Sequence, residues 1–180
     1  MPKTTSNLRV VMRRPIDCSP EMLNNFGRVV LANGEVPIAN LKRGIPRSDM
    51  LFYCIKDDQV VGVSAVRYQN RVFHKHLFEK AGVPEMYNPH SLEWCWLSVL
   101  PEFQRGGVLR AIHLAREDYM ADRPCHGITR ADNEKVDDDK KFGFEYIGKP
   151  FKAETSDNFI RLGVSNHDPV FDPNKKLRYC

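Results

Sequence analysis

The chain of 180 residues is 42% hydrophobic and 28% charged, the size and make-up of one folded domain with a sizeable core, which excludes a collagen-like or largely disordered protein. No apolar run approaches the roughly 18 residues of a membrane-spanning helix, and the polar residues 1–9 lack the hydrophobic segment of an export signal, so a cytoplasmic protein with no membrane contact is expected. A formal charge of +4 and a pI near 8.8 suit an anionic small molecule or a nucleic acid without choosing between them.

Residues 8–13, with valines and a leucine among arginines, read as a first strand. Ser19 followed by Pro20 and Glu21 has the pattern of a helix start, and Asn33-Gly34 that of its end. Pro37 opens a shorter helix that stops near Gly44-Ile45-Pro46. Segments 51–55 and 60–66 are rich in β-formers and are separated by Lys56-Asp57-Asp58-Gln59, the pattern of an antiparallel hairpin. From 69 to 91 the pattern weakens around Gly82, Pro84 and Pro89, so a long irregular stretch is expected there, of the kind that carries the substrate side of a site. Residues 92–100 form a strand closed by Pro101. Val108, Ala111, Ile112, Ala115 and Tyr119 recur at three- and four-residue spacing, one face of a helix that begins after Gly106-Gly107 and ends at Arg123-Pro124. A strand at 125–130, a polar helix at 133–141 and strands at 144–148 and 159–164 complete a mixed α/β (α+β) layer structure. No internal repeat is visible, and one domain over 1–165 with a basic tail at 166–180, including Lys175, Lys176 and Arg178, is expected.

The stretch 92–110 carries the most chemistry. A strand runs into a glycine-rich turn that opens a helix, so unpaired backbone N–H groups and the positive helix end point to one place, an anion cradle. Arg105 within the turn and Arg110 one turn into the helix add charge near a phosphate. These residues resemble the acyl-CoA loop of the GCN5-related N-acetyltransferases (the GNAT superfamily), which reads Gln or Arg, two residues, Gly, one residue, Gly or Ala. Gln104, Arg105, Gly106, Gly107 and Val108 follow it, whereas Leu109 stands in place of the last small residue and either crowds the pyrophosphate or shifts its contact to neighbouring amides. Asn133-Glu134-Lys135-Val136 followed by Phe142-Gly143-Phe144 is similar to the second family signature, one residue short of its usual spacing. The resemblance covers about residues 50–147. It implies a mostly antiparallel central sheet flanked by helices, with a splayed central strand.

It also implies direct transfer of an acetyl group from acetyl-CoA to an amine acceptor of unstated identity. Such transfer needs a polarised thioester carbonyl, a base for the attacking ammonium and an acid for the leaving thiolate. By the family's pattern the Val99 amide, with Ser98 beside it, meets the acyl oxygen. Residues 104–110 and Asn133 hold the cofactor. Glu93, eleven residues before Gln104, stands where the histone-acetyltransferase branch carries its base, flanked by Trp94 and Trp96. The position of the family's tyrosine acid is Asp139, next to Asp137 and Asp138; Tyr146 or Tyr119 is a substitute, as is water. A homodimer is one assembly the resemblance allows.

Other signals compete. Arg67, Tyr68, Arg71, His74 and Lys75 interleave cations with aromatics, as phosphate contacts and base stacking would require, so a nucleic-acid-modifying enzyme of the phage Mom type on the same scaffold is an alternative. A strand with alternate faces in core and water is the plainer reading of that segment. A catalytically silent CoA-binding or regulatory module is a third, suggested by Leu109 and the absent tyrosine. His74, His76 and His90 lack a carboxylate or cysteine at ligand spacing, so no metal is expected. Five scattered cysteines, Cys18, Cys54, Cys95, Cys125 and Cys180, fit reduced thiols better than a disulfide framework, with Cys95 and Cys125 packing rather than acting as nucleophiles.

Overall fold

The computed structural model describes residues 7–34, 36–133 and 142–167. These contain strands β1 (Leu8–Arg13), β2 (Met50–Lys56), β3 (Gln59–Arg67), β4 (Leu92–Val99), β5 (Cys125–Arg130), β6 (Glu145–Lys152) and β7 (Phe159–Ser165), and helices α1 (Pro20–Leu31), α2 (Ile38–Gly44), α3 (Arg71–Lys80) and α4 (Val108–Met120). The strands join in one sheet ordered β1-β2-β3-β4-β5-β7-β6. β1–β2, β2–β3, β5–β7 and β6–β7 pair antiparallel and β4–β5 parallel, which is the mixed sheet expected from the sequence. The β4–β5 register covers Leu92↔Cys125 and Glu93↔His126, while β4 continues to Val99, as a splayed strand does. Among the described residues no helix is long and apolar enough to cross a membrane. The chain groups into two compact units, residues up to 67 with 94–119, and residues 68–93 with those from 120 on.

In the first unit local signals are strong. Ser19 caps α1 by accepting from the Met22 N–H at 3.2 Å, Pro20 occupies its first turn, and Phe26, Val29 and Val30 turn inward. The β2–β3 hairpin closes through Asp57 (φ 47°) and Asp58 (φ 61°), two consecutive left-handed residues whose twist matches that of the strands they join. One face of this sheet buries Leu51, Tyr53, Val63 and Ala65 against Phe26, Val29 and Leu41. On α4, Val108 and Ile112 are buried, and a Cβ added at Gly62 of β3 would stand 2.5 Å from Val108 Cγ1 and 3.1 Å from Ile112 Cδ1. The missing side chain at Gly62 therefore lets the start of α4 settle onto β3. Toward the far end of α4, Tyr119 meets Phe52 edge-on and its hydroxyl donates to Asp49, so this tyrosine packs and anchors.

The second unit corrects one expectation. Residues 71–80, expected to be irregular or a strand, form α3. Asn70 caps it, its side chain accepting from the Val72 and Phe73 N–H groups at 3.0 and 3.3 Å, and Gly82 (φ 77°) ends it. The buried stripe is His74, Leu77, Phe78 and Ala81, at helical spacing, and a histidine on that stripe disguises the period. Leu77, Phe78 and Ala81 pack on Phe151, Leu162 and Val164. At Gly148 (φ 67°) a Cβ would run into the Ala81 carbonyl, so β6 approaches α3 closely, and Lys149 N–H donates to Ala81 O at 2.9 Å. β6 also runs further than expected, to Lys152, carrying an irregularity between Ile147 and Phe151. Of the expected helix at 133–141, residues 134–141 lie outside the described residues, as does the basic tail from 168.

Candidate functional site

The glycine-rich turn lies where the sequence puts it. After β4 a short 3-10 turn, Pro101–Phe103, leads into Gln104, Arg105, Gly106 and Gly107, all exposed, and then into α4. Arg105 (φ 64°) and Gly107 (φ 83°) are both left-handed. For an arginine that conformation costs about 1–2 kcal/mol. The first three N–H groups of α4, on Val108, Leu109 and Arg110, precede the first intrahelical bond, which runs from Ala111 N to Gly107 O at 3.0 Å. No acidic residue stands in the first turn to compete for them. Left-handed residues leading into a helix start make a backbone form that suits an anion. A Cβ at Gly107 would meet nothing nearer than Leu8 Cδ1 at 3.7 Å, so the turn is open to a ligand on that side. Val108 is buried, Leu109 half-buried and Arg110 exposed; the helix thus sinks one residue into the core and offers the others outward.

The end of β4 has its own geometry. Leu100 N–H donates to Val61 O of β3 at 2.9 Å, and Ser64 Oγ donates to Cys95 O at 3.1 Å. Successive residues of a strand aim their N–H groups to opposite sides, so the Val99 N–H and carbonyl face the edge of β4 remote from β3. Asn33 Nδ2, at the end of α1, reaches the Val99 carbonyl at 3.5 Å. Trp96 sits at φ 55°, a left-handed residue inside the strand that breaks its regular pleat. Its ring is held edge-on by Phe26 at 6.2 Å and covered by the Arg67 guanidinium at 4.6 Å. Ser98 and Val99 are both buried.

Glu93 is buried, 4% exposed, at the point where β4 pairs with β5. Asn133 follows β5 and is held locally, its Nδ2 donating to Thr129 Oγ1 at 2.8 Å. Tyr146 is half-buried on β6, opposite Gly163 of β7. Asp139 lies outside the described residues. The five residues proposed for nucleic acid do not form one strand face. Arg67 covers Trp96, Tyr68 and Arg71 are exposed, Lys75 lies 3.9 Å from Glu79 on α3, and His74 is buried. His74 and His76 part on the helix: His74 is buried, and His76 Nδ1 meets Glu79 at 3.1 Å on the surface. Among the described residues no group of His, Cys, Asp and Glu could hold a metal ion. Cys125 and Cys54 are buried, Cys18 and Cys95 half-buried, all as free thiols, and burial pushes the Cys54 thiol up to about 11.

A buried polar cluster in the second unit escapes any local reading of the sequence. The His126 ring hydrogen-bonds Ser91 Oγ through Nδ1 at 2.9 Å and Gln69 Oε1 through Nε2 at 3.1 Å, and stacks on the His74 ring at 4.0 Å and 8°. Burial, then the charge of His167, lowers His74 from 6.5 to about 4, so it is neutral near pH 7. These partners stand 22 to 57 residues apart (Gln69, Ser91, His126), and no spacing rule would have joined them.

No family model matches the sequence, and no curated protein matches it. Solved structures do share the fold. An acyl-CoA N-acyltransferase from Pseudomonas aeruginosa aligns with a TM-score of 0.62 at 11% identity, over 88% of this chain and 99% of that one. The ribosomal-protein-S18-alanine N-acetyltransferase from Escherichia coli gives 0.62 at 10% identity, over 94% and 100%. An aminoglycoside 6′-N-acetyltransferase complexed with coenzyme A gives 0.62 at 10%, over 90% and 99%. The architecture of this chain is thus that of the N-acetyltransferase fold expected from residues 50–147.

Proposed function

We propose that this chain is an acetyl-CoA-dependent N-acyltransferase, with residues 1–165 acting as one catalytic domain. The observation that carries the reading is the exposed Gln104–Gly107 turn, leading into an α4 whose first turn holds no acidic residue, shortly after a strand end whose Val99 N–H faces away from β3. The turn fits a pyrophosphate: open backbone donors, flexible glycines and the cations of Arg105 and Arg110. Bound acetyl-CoA supplies an activated thioester. Gln104, Arg105, Gly106, Gly107, Val108, Leu109 and Arg110 hold its phosphates, with Asn133 as a further contact. The Val99 N–H, with Ser98 beside it, supplies a fixed dipole for the acyl oxygen, which strengthens as charge develops there. Glu93 takes the proton of the incoming ammonium, and its burial keeps water from competing. Tyr146, or Asp139 in the segment before β6, returns a proton to the thiolate. The acceptor is an amine, and the fold likeness to a ribosomal-protein-S18-alanine N-acetyltransferase and an aminoglycoside 6′-N-acetyltransferase leaves its class open between peptide and small molecule.

Calorimetric titration of the full chain with acetyl-CoA tests this. Micromolar binding, weakened by a Gly107→Glu change that puts a carboxylate at the cradle and an L side chain at φ 83°, is the expected result. Absence of binding, or equal affinity in the variant, removes the loop from the reading.

A further inference from the structure

The second unit holds a cleft of about 370 Å³ that the acyl-transfer reading does not use, lined by Tyr68, Gln69, Arg71, His74, His90 and Arg123, among others. Its volume is within the range of small-molecule sites, about 300–1,000 Å³. None of its lining residues is a carboxylate, and two guanidiniums and two imidazoles border it. Its floor is preorganised. Among the residues that line it, Ser91 and Gln69 fix the His126 ring from both sides. Because a glutamine oxygen only accepts, His126 Nε2 donates to Gln69 Oε1, which leaves the Gln69 NH₂ as the other end of that amide. That Gln69 Nε2 is buried and without a hydrogen-bond partner, and so is Nε2 of His74, which is 2% exposed. A buried polar atom left unsatisfied costs about 1–3 kcal/mol, a cost that a ligand acceptor would relieve at the Gln69 amide and a ligand acceptor or hydroxyl at His74, according to which ring nitrogen carries the proton. Arg71 stands in the first turn of α3, an exposed guanidinium whose fork suits an oxyanion.

We propose that this cleft is a binding site for a small phosphomonoester of mononucleotide size, held by Arg71 and Arg123 at its phosphate and by the Gln69 amide and His74 on its floor. Two guanidiniums at one cleft, that of the exposed Arg71 and that of Arg123, whose Nε also donates to Met120 O at 3.4 Å, favour a dianion over a carboxylate. Tyr68, exposed at the rim, and His90 supply flat surfaces for the organic part. The site does not depend on the acyl-donor loop.

The full chain is titrated calorimetrically with adenosine 5′-monophosphate, with inorganic phosphate and with adenosine. The nucleotide is expected to bind with an affinity that falls at higher salt, phosphate to compete with it, and adenosine to bind at least about tenfold more weakly, as loss of a charge-assisted contact implies. Arg71→Glu, an exposed change that the fold tolerates, is expected to weaken nucleotide binding about tenfold or more. Gln69→Leu weakens it severalfold. The Gly107→Glu variant retains the nucleotide. The idea fails if neither phosphate compound gives saturable heat. It fails equally if Arg71→Glu binds as the parent does, or if Gly107→Glu abolishes binding and Arg71→Glu does not, because the nucleotide would then sit in the acyl-donor loop. Loss of acetyl-CoA binding with nucleotide binding intact counts against the acyl-transfer reading alone.

Discussion

At the scale of single residues, the test of chemistry is Glu93. If it is the base, Glu93→Gln keeps the shape and removes the proton acceptor, so the acylation rate should fall by about 10²- to 10⁴-fold while acetyl-CoA affinity stays nearly constant. An unaltered rate takes Glu93 out of the mechanism. His74 makes a prediction about stability. Its folded-state value, about 4, lies below its ordinary 6.5, so between those values the unfolded chain binds a proton that the folded chain does not. Stability contributed by the neutral, stacked ring is therefore complete above pH 6.5 and lost as pH falls toward 4, by as much as about 3 kcal/mol. Urea unfolding followed across that window should show the midpoint dropping with pH, and His74→Phe should flatten the slope; a midpoint that ignores pH in the parent contradicts the assignment.

At the scale of elements, the start of α4 depends on one absent side chain. Gly62→Ala places a methyl 2.5 Å from Val108 Cγ1, so the helix must shift or the strand must bend. Overpacking of this kind costs about 1–3 kcal/mol. The expected result is a lower unfolding midpoint together with weaker acetyl-CoA binding, because the same helix carries the loop donors. Most of this architecture is legible in the sequence, wherever the determinants are local: Ser19-Pro20 and Asn33-Gly34 bound α1, the two aspartates turn the β2–β3 hairpin, and Gly106-Gly107 mark where α4 begins. α3 is not, even though Asn70 is a capping residue in plain view. Its buried stripe counts a histidine as polar until the ring partners of that histidine, thirteen and fifty-two residues away at Tyr87 and His126, are placed around it. The same division holds for the candidate site. The proposed phosphate loop is a contiguous string and can be read as one, whereas the Gln69, Ser91 and His126 cluster exists only after folding.

For the whole molecule, the relation to solved structures is one of shape, with identities of 10–11% over nearly the full length of the aligned chains. Such a scaffold survives because strand alternation, helix period and a few glycines are conserved physical requirements that many sequences meet. Ligand linkage gives a readout of the whole fold. Acetyl-CoA at about one hundred times its dissociation constant adds about 2.7 kcal/mol to the folded state, which for a chain of this size raises the melting temperature by roughly 5–10 °C. A melting temperature that does not move with acetyl-CoA contradicts specific binding to the folded chain. The placement of the tryptophans bears on how any of this can be watched. The chain has two, Trp94 and Trp96, and both lie in β4, one beneath the guanidinium of Arg116 at 4.8 Å and the other beneath that of Arg67 at 4.6 Å. The intrinsic tryptophan emission of the protein is therefore a signal from a single strand, already sensitised by two cations, and its intensity and wavelength report the state of the strand that ends at Val99 without any added label.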